Sequence, residues 1–464
     1  MSFCVVSPLP PASEVRPSLG FWSGVALLTG TMIGGGIFRT PASISAVLPD
    51  PVLILGLWFF FGIVSLCGAL TLAELGTMLP KTGGMYVYLR AAFGDAAAFV
   101  FGWLYLVAAI PSGMAALAVF FAELVLGMMN ISSAESPWGI PLVAIAAVSF
   151  LSAANVAGVR LGAAIQSVFA VIKVGALLAV VVGAVFSGAG EVSRWFVSEA
   201  PVAAGGGWPA AVKSVLFTYN GWVYIGFMAG ELKDPERCLT RIILVGTGAT
   251  IILYLAANLS YLYLLPLAAM PGTVVAKEAV RVLAGQPAAA VMGGCILASV
   301  FGALNGVILT KSRVAYALGR DGLSFAWLGR AHPTRATPYI SILVQGVVAI
   351  GLILLLRDAA RPLRLFDRLT AYFVLVEWLA LVFGVGAIFV LRRTMPHARR
   401  PYRTLGYPVV PAIFVAGTLF GLSALLWSAC SQGDFAPLGG LALVAAGFPV
   451  YRIWRGWAGR RAEG

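Results

Sequence analysis

Charged and metal-binding side chains are scarce in this 464-residue chain. Only 11% of its residues are charged and two are histidine, whereas 60% are hydrophobic. A soluble domain carries about 25% charged residues, so the composition excludes an ordinary soluble fold and indicates a helical membrane protein with several spans. The alternating strand pattern of an outer-membrane barrel is missing, and the apolar segments are about twice as long as a barrel strand.

The five cysteines form no pattern typical of a ligand set. They lie far apart, at Cys4, Cys67, Cys238, Cys295 and Cys430, without a CxxC pair, a histidine cluster or a carboxylate cluster. We therefore expect no metal site, no cofactor and no structural disulfide. A membrane enzyme would need a catalytic cluster at one depth, and the scattered cysteines and two histidines argue against one.

The formal net charge of +13 does not indicate binding to nucleic acid. The basic residues lie almost entirely in short gaps between apolar segments, as the positive-inside rule describes. If the spans alternate, nearly all of these gaps fall on one side, which places both termini in the cytoplasm; the arginines between 357 and 368 are the exception. Residues 1–18 are polar and proline-rich, which is not typical of a cleavable signal.

Twelve apolar segments of roughly 20 residues or more divide the chain, and we predict an all-α membrane protein with 12 transmembrane helices. The segments fall at about 20–46, 52–78, 93–128, 138–158, 161–187, 209–231, 241–267, 287–318, 339–356, 369–391, 405–430 and 436–456.

Two of these segments contain residues that weaken a helix. Gly34, Gly35 and Gly36 lie near the middle of the first span, and a glycine costs about 1 kcal/mol relative to alanine inside a helix. A broken helix also leaves backbone groups that lipid cannot satisfy, so the break is tolerated only where it faces a cavity. The sixth span is interrupted in a similar way by the run Phe-Thr-Tyr-Asn-Gly-Trp at 217–222.

Interrupted helices five spans apart are typical of secondary transporters built from inverted repeats. We expect a cytoplasmic tail at 1–18, a first repeat at 19–190, a second repeat at 205–395, two further helices at 404–457 and a short tail at 458–464. The alternative is that the glycines only allow close packing of helices. Two interruptions at corresponding positions favour the transporter.

Four motifs resemble those of amino-acid transporters of the amino acid–polyamine–organocation (APC) superfamily. They lie at 30–38, 74–88, 217–235 and 317–322, in the family's order. The resemblance extends from about residue 18 to the C-terminus, is closest to bacterial members of the L-type amino-acid transporter family, and implies a LeuT-like fold with broken first and sixth helices. The chain departs from the pattern at Gly35, where a serine is usual, and at Gly230, where many relatives carry an acidic residue.

The resemblance implies a substrate site made mostly of backbone groups. The N–H groups of the three glycines at 34–36 would bind the carboxylate of an α-amino acid, helped by the positive end of a half-helix. The carbonyls of Met32, Phe217 and Asn220 would accept hydrogen bonds from its ammonium group. The ring of Phe217 would also act as a gate over the substrate; the alternative is an aromatic side chain that faces lipid or the core.

Lys173 and Glu377 are isolated charges in the fifth and tenth spans. A charge at such depth is costly and is functional by default, although a lysine can also extend to the interface. The resemblance implies that Lys173 is a built-in cation that links the first and eighth helices, with Ser299 as a candidate partner, and therefore implies sodium independence. Burial of the Lys173 amine also leaves room for proton coupling. Glu377 either lines the far end of the substrate pocket or pairs with a polar neighbour.

Other polar residues are expected to act at the cytoplasmic side or between helices. Lys311 and Arg313 count as basic residues that end the eighth span on that side, and Asn305 is expected to hydrogen-bond between helices. Glu123 is expected near the outer interface. A further set should form the ion pairs and loop caps of an inner gate: Glu74, Lys81, Glu231, Lys233 and Arg320.

These observations predict a sodium-independent exchanger (antiporter) of neutral L-amino acids in the inner (plasma) membrane, working by alternating access. Neutral substrates are favoured because neither broken-helix motif contains an acidic residue. Proton-coupled uptake is the main alternative, Glu377 keeps cationic amino acids or polyamines possible, and a channel or a non-transport scaffold is more distant. Animal members of the family that this chain resembles carry a cysteine in the loop after the third helix, which bonds a glycoprotein partner. Residues 129–137 contain no cysteine, so the resemblance implies no disulfide-linked heavy subunit.

Overall fold

The computed structural model describes residues 19–131, 136–198, 207–335, 337–357, 364–432 and 436–462. These residues are helical or irregular, apart from one isolated parallel bridge between Leu19 and Leu232. The predicted N-terminal tail at 1–18 lies outside the described residues, as does the predicted repeat boundary at 205.

The described residues form sixteen α-helices. They are α1 (Phe21–Met32), α2 (Gly36–Ser45), α3 (Pro51–Met78), α4 (Met85–Phe93), α5 (Asp95–Leu104), α6 (Ile110–Met128), α7 (Gly139–Ala157), α8 (Val159–Ser187), α9 (Trp208–Thr218), α10 (Tyr224–Phe227), α11 (Pro235–Leu264), α12 (Val275–Arg320), α13 (Tyr339–Leu355), α14 (Arg364–Thr394), α15 (Val409–Gln432) and α16 (Ala436–Ala462). A π-helical turn, Tyr105–Ala109, joins α5 to α6. Gly285 has φ 79° and divides α12 into a short first part and a long second part.

Nine helical stretches within the described ranges are long and apolar enough to cross a membrane. They are Phe21–Ser45, Pro51–Met78, Asp95–Met128, Gly139–Ala157, Ala164–Ser187, Pro235–Leu264, Val275–Arg320, Leu365–Thr394 and Val409–Ser431. The predicted ninth span is the shorter α13, with 17 residues. The predicted sixth span is divided between α9 and α10, and the predicted twelfth lies in α16, which also runs through 458–462 of the predicted tail. The count of 12 spans, the repeat and its boundaries stay predictions.

Large apolar side chains lie exposed on the outer faces of these helices. Phe186 is 83% exposed, Trp427 76% and Val171 74%. Surfaces of this kind would be unfavourable in water and suit contact with lipid. The interior is filled by apolar side chains from nearly every helix, so the exposed apolar residues form an outer layer.

The break in the first span is confirmed. After α1 ends at Met32, the N–H of Gly34 turns back to the Met32 carbonyl at 2.8 Å, and helical structure resumes at Gly36. The first N–H groups of α2 therefore have no acceptor within their own helix.

The break in the sixth span is confirmed as well, because α9 ends at Thr218 and α10 begins at Tyr224. Gly221 has φ +120°, a conformation that L side chains rarely adopt, and a Cβ on it would lie 2.9 Å from the Met32 nitrogen. Since α1 packs against α8, α11 and α12, and α2 against α9, the two breaks meet in the interior of the bundle.

Candidate functional site

A small cavity lies between the two breaks. Its volume is about 40 Å³, which is room for a few water molecules. All six residues predicted to bind substrate lie in its wall: Met32, Gly34, Gly35, Gly36, Phe217 and Asn220. The wall is completed by α6, α12 and α14, through residues that include Leu117, Ala303 and Phe373.

Packing explains why the first break contains no side chains. A Cβ on Gly35 would lie 2.4 Å from Cδ1 of Phe120, and one on Gly36 would lie 2.5 Å from the hydroxyl of Thr218. The ring of Phe120 therefore fills the space that a serine at position 35 would need. The N–H groups of the break lie beside the cavity, where the half-helix dipole of α2 favours an anion.

Lys173 and Ser299 both hydrogen-bond the unwound end of α1. The Lys173 ammonium, which has no exposed surface, donates to the Gly30 carbonyl at 2.7 Å from α8. The Ser299 hydroxyl donates to the Ile33 carbonyl at 3.5 Å from α12. The two side chains thus meet the broken helix from two neighbours, each through a different carbonyl.

The Met32 carbonyl already accepts two hydrogen bonds. The Tyr254 hydroxyl donates to it at 2.6 Å, and the Gly34 N–H at 2.8 Å. Tyr254 lies on α11 and contacts Trp58 and Tyr219 edge-on or tilted, so its ring is held in place by other aromatic rings. Sequence reasoning missed Tyr254, because a tyrosine within an apolar span has no distinguishing signal.

Phe217 is half-buried and lies between two rings of α14. Its centroid is 5.6 Å from that of Phe366 and 5.8 Å from that of Phe373, both in edge-to-face geometry. Such pairs stabilise one another beyond the apolar area that they bury. Phe217 therefore belongs to a ring cluster at the edge of the cavity.

An ion pair extends this cluster. Arg39 of α2 pairs with Glu123 of α6, and its guanidinium lies 4.0 Å from the Phe366 centroid and 5.0 Å from that of Phe120. These residues form a group on the predicted outer side of the cavity. We call this group the outer cover; its members are Arg39, Glu123, Phe120, Phe366 and Phe217. The signal for Arg39 was available in the sequence, since it is a lone charge beside the glycine break.

The Asn220 side chain is fixed by its neighbour one turn further on. The Tyr224 hydroxyl donates to its Oδ1, whereas its Nδ2 has no hydrogen-bond partner within the described chain. Both side chains are buried and line the cavity. Asn220 can therefore offer a side-chain donor in addition to the backbone carbonyl that the sequence predicted.

Lys311 and Arg313 correct the sequence reading. Instead of ending a span at the cytoplasmic side, they lie within α12, which continues to Arg320, and neither has any exposed surface. The Lys311 ammonium is 3.0 Å from Oε1 of Glu377, and Arg313 Nε is 2.8 Å from Oε1 of Glu231. Glu377 thus pairs with a polar neighbour. A lone acid in an apolar span needs a buried cation, and this was the signal that could have linked these residues.

Aromatic rings separate the Lys311 ammonium from the cavity. It lies 4.4 Å from the ring centroid of Tyr224, 5.0 Å from that of Phe373 and 5.3 Å from that of Tyr105. Tyr224 and Phe373 line the cavity, so the ion pair lies directly behind its wall. Tyr105 belongs to the π-helical turn, a feature that often marks functional sites.

Ion pairs also join elements on the predicted cytoplasmic side. Glu74 accepts hydrogen bonds from Arg392, at 2.6 and 3.0 Å, and lies 3.2 Å from Arg400. Lys233 contributes its backbone N–H to the Leu19 carbonyl. Asn305 bonds between helices, accepting from Asn155 and donating to the Gly162 carbonyl.

A wider cavity of about 780 Å³ opens on the same side. Lys81, Arg90, Arg320 and Asp321 are among its lining residues. Burial and then the nearby Asp321 carboxylate raise the pKa of the Tyr86 hydroxyl, which donates to that carboxylate at 2.8 Å.

Gly230 is explained by close packing beside this cavity. A Cβ on it would lie 2.5 Å from the Thr82 hydroxyl, so the motif loop after α3 approaches the end of the sixth span more closely than a side chain allows. The acidic residue common in relatives would not fit here without a shift of this loop.

The chain is similar to known proteins along most of its length. A family model described as amino acid permease matches residues 19–437. The serine/threonine exchanger SteT of Bacillus subtilis is 30% identical over 94% of this chain and 96% of its own length. The mouse b(0,+)-type amino acid transporter 1 is 30% identical over 88% of this chain and 82% of its own. The mouse large neutral amino acids transporter small subunit 2 is 29% identical over 96% of this chain and 82% of its own.

Proposed function

Because the chain belongs to the amino acid permease family, we propose that it exchanges neutral L-amino acids across the plasma membrane by alternating access and without sodium. The observation that carries the proposal is the cavity between two helix breaks, which is lined by backbone groups of both. A site of this kind suits a ligand with one carboxylate and one ammonium group.

In the proposed complex the carboxylate binds the N–H groups of Gly34, Gly35 and Gly36. The ammonium group binds carbonyls of Met32, Phe217 and Asn220. Because the Met32 carbonyl already accepts from Tyr254 and from its own turn, the ammonium must displace one of these donors. Substrate binding would thereby change the hydrogen bonds of the first break. This change would couple the substrate to the positions of the two half-helices.

Sodium independence is supported by Lys173. Its ammonium brings a positive charge to the Gly30 carbonyl, three residues before the Ile33 carbonyl that accepts from the Ser299 hydroxyl. Oxygen atoms of this kind are typical ligands of a bound cation, so the lysine would take the place of one. Proton coupling through Lys173 is the second candidate, since its amine is buried and could release its proton.

Neutral specificity is supported by Lys311. The Glu377 carboxylate would attract a cationic side chain if it were alone, but its charge is already compensated at 3.0 Å. Two relatives have names that agree with this: one is named a serine/threonine exchanger and another a large neutral amino acids transporter, and both names describe uncharged substrates. We do not favour polyamines or cationic amino acids for this reason.

Alternating access would use the outer cover on one side and the cytoplasmic ion pairs on the other. Phe217 would move with the sixth span, and the Arg39–Glu123 pair would open toward the predicted outside. On the opposite side, the Glu231–Arg313 pair would open between the sixth span and α12. Both termini are proposed to be cytoplasmic, and the protein is proposed to act without a heavy subunit.

The test is exchange in liposomes that contain the purified protein. Liposomes are loaded with one unlabelled amino acid at a time, and uptake of labelled alanine or serine is followed in choline buffer, with and without a pH gradient. Uptake that requires an internal amino acid, ignores sodium and ignores the gradient is expected. Uptake into empty liposomes driven by inward protons would replace exchange with proton coupling, and no uptake by folded protein would refute amino-acid transport.

A further inference from the structure

We propose that the Lys311–Glu377 ion pair sets the charge of the side chain that the substrate can carry. The pair would exclude acidic and basic side chains together, because each of its charges compensates the other. This inference rests on the proposed function, since it names the residues that limit the substrate class of the same cavity. It goes beyond a structural role for the pair and predicts how the specificity changes when one partner is removed.

The first step is the position of the pair. Lys311 lies on α12 and Glu377 on α14, the two helices that also supply Ala303 and Phe373 to the cavity wall. Phe373 and Glu377 are four residues apart in α14, so their side chains lie on the same face. The pair therefore lies behind the part of the wall that α12 and α14 form, which is where we expect a bound amino acid to place its side chain.

The second step is the thinness of the wall. The Lys311 ammonium lies 4.4 Å from the Tyr224 centroid and 5.0 Å from the Phe373 centroid, and both residues line the cavity. Rotation of one ring would bring the pair into contact with the cavity. The 40 Å³ now present is too small for most amino-acid side chains, so the wall must move when substrate binds.

The third step is unused bonding capacity. Oε2 of Glu377 is buried and accepts no well-formed hydrogen bond within the described chain, although the Tyr105 hydroxyl interacts with this carboxylate; the Lys311 ammonium has three protons but one carboxylate partner. Unpaired groups of this kind are costly in a dry interior. A polar uncharged side chain could donate to Glu377 or accept from Lys311 without separating them.

The fourth step is the effect of removing one charge. A buried ion that has lost its partner is strongly destabilising, because water cannot solvate it. A substrate charge of opposite sign would therefore bind it favourably. Lys311→Met would leave the Glu377 carboxylate to bind the ammonium or guanidinium end of lysine or arginine. Glu377→Gln would leave the Lys311 ammonium to bind the carboxylate of glutamate or aspartate.

A simple clamp between α12 and α14 is the competing explanation. The Arg313–Glu231 pair provides the comparison, because it is equally buried and begins on the same helix, yet within the described residues Arg313 does not lie against a ring of the cavity wall as Lys311 does. Arg313→Met should lower stability and transport rate but leave the choice of substrate unchanged. Comparison of Lys311→Met with Arg313→Met thus separates a loss of packing from a change of substrate specificity.

The experiment measures exchange of labelled alanine, lysine and glutamate by wild type, Lys311→Met, Glu377→Gln, Arg313→Met and the double variant Lys311→Met/Glu377→Gln. We expect the lysine-to-alanine ratio to rise about tenfold or more in Lys311→Met, as for a gained charged hydrogen bond. The glutamate-to-alanine ratio should rise similarly in Glu377→Gln. The double variant should keep the wild-type preference, because no net charge remains.

Thermal stabilisation of the detergent-purified proteins by each amino acid gives a second readout that does not depend on transport. Unchanged ratios in variants that still exchange alanine, or equal gains in Arg313→Met, would overturn the proposal. If wild type exchanges no amino acid, the proposed function fails, and selective stabilisation of Lys311→Met by lysine would still support the role of the pair. If a single variant does not fold, the double variant decides, since acceptance of charged substrates by it would contradict the inference.

Discussion

Gly221 and Met32 touch each other across the two helix breaks. A Cβ on Gly221 would lie 2.9 Å from the Met32 nitrogen, and the backbone of Gly221 has φ +120°. Both facts require glycine: the first because the contacted atom is backbone and cannot rotate away, the second because L side chains rarely adopt this conformation. The halves of the site are therefore held in register by a contact between main chains.

Gly221→Ala is expected to damage the site. Strain at a positive φ and the contact with Met32 together should lower the free energy of unfolding by about 2 kcal/mol or more. Exchange of labelled alanine should fall more steeply than stability, because the breaks would separate. Gly248→Ala in α11 is the control, since a Cβ there meets nothing within 4 Å. Equal exchange by the two variants would show that the contact between the breaks is unimportant.

Lys173→Ala tests whether the lysine replaces a bound cation. The change removes the donor to the Gly30 carbonyl, which lies three residues before the Ile33 carbonyl that accepts from Ser299. Exchange should fall about tenfold or more, because an unsatisfied buried acceptor costs about 1–3 kcal/mol. Sodium chloride should restore part of it, whereas choline chloride should not.

The control for this prediction is Lys277→Ala, a matched change in the short first part of α12 before the kink at Gly285. It should leave exchange unchanged in either salt. A Lys173→Ala variant that transports normally without sodium would contradict the fixed-cation role. A variant that folds and is inactive in both salts would favour proton transfer by Lys173, which uptake driven by a pH gradient in wild type would then have to confirm.

The breaks in the helices could be predicted from the sequence because glycine and asparagine are unfavourable within an apolar span. A helix in lipid is destabilised by residues such as those at 34–36 and 217–222. The structure ends α1 and α9 at these places. Most helix bounds could be predicted for the same reason, since long apolar segments admit few alternatives. These features depend on local chemistry alone.

The buried ion pairs could not be predicted in the same way. The predicted eighth segment, at about 287–318, already contains Lys311 and Arg313, but their charges indicate its cytoplasmic end and not a buried position inside α12. Their partners, Glu377 and Glu231, lie 66 and 82 residues away along the chain. Which cation meets which acid depends on helix packing, and a single sequence does not encode this in any local pattern.

Glu74→Gln tests the cytoplasmic ion pairs. Glu74 is 1% exposed and accepts hydrogen bonds from Arg392 and from the Thr404 N–H, which ties α3 to α14 and to the loop before α15. Loss of the charge should lower the free energy of unfolding by about 2 kcal/mol, less than for a fully buried pair because Arg392 is partly exposed. Thermal unfolding in detergent measures this. Glu278→Gln, in an exposed pair with Arg281, should change it little.

The outer cover gives the last prediction. Arg39 joins α2 to α6 through Glu123 and lies against the rings of Phe366 and Phe120, so its removal takes away an ion pair and two cation–π contacts at once. Arg39→Gln should therefore favour conformations that are open to the outside.

Access to the cavity can be measured with Leu117→Cys, a position in the cavity wall, in a chain without its natural cysteines. A membrane-impermeant maleimide added outside should label this cysteine several-fold faster after Arg39→Gln, since loss of about 1 kcal/mol of closing energy shifts the population roughly fivefold. Lys213→Gln, which breaks the looser 3.5 Å pair with Asp367 on the same side, is the control and should leave the rate nearly unchanged. Equal labelling rates in all three proteins would mean that the aromatic rings close the cavity without the ion pair, and faster labelling from the inside alone would place the cover on the cytoplasmic side and reverse the proposed orientation.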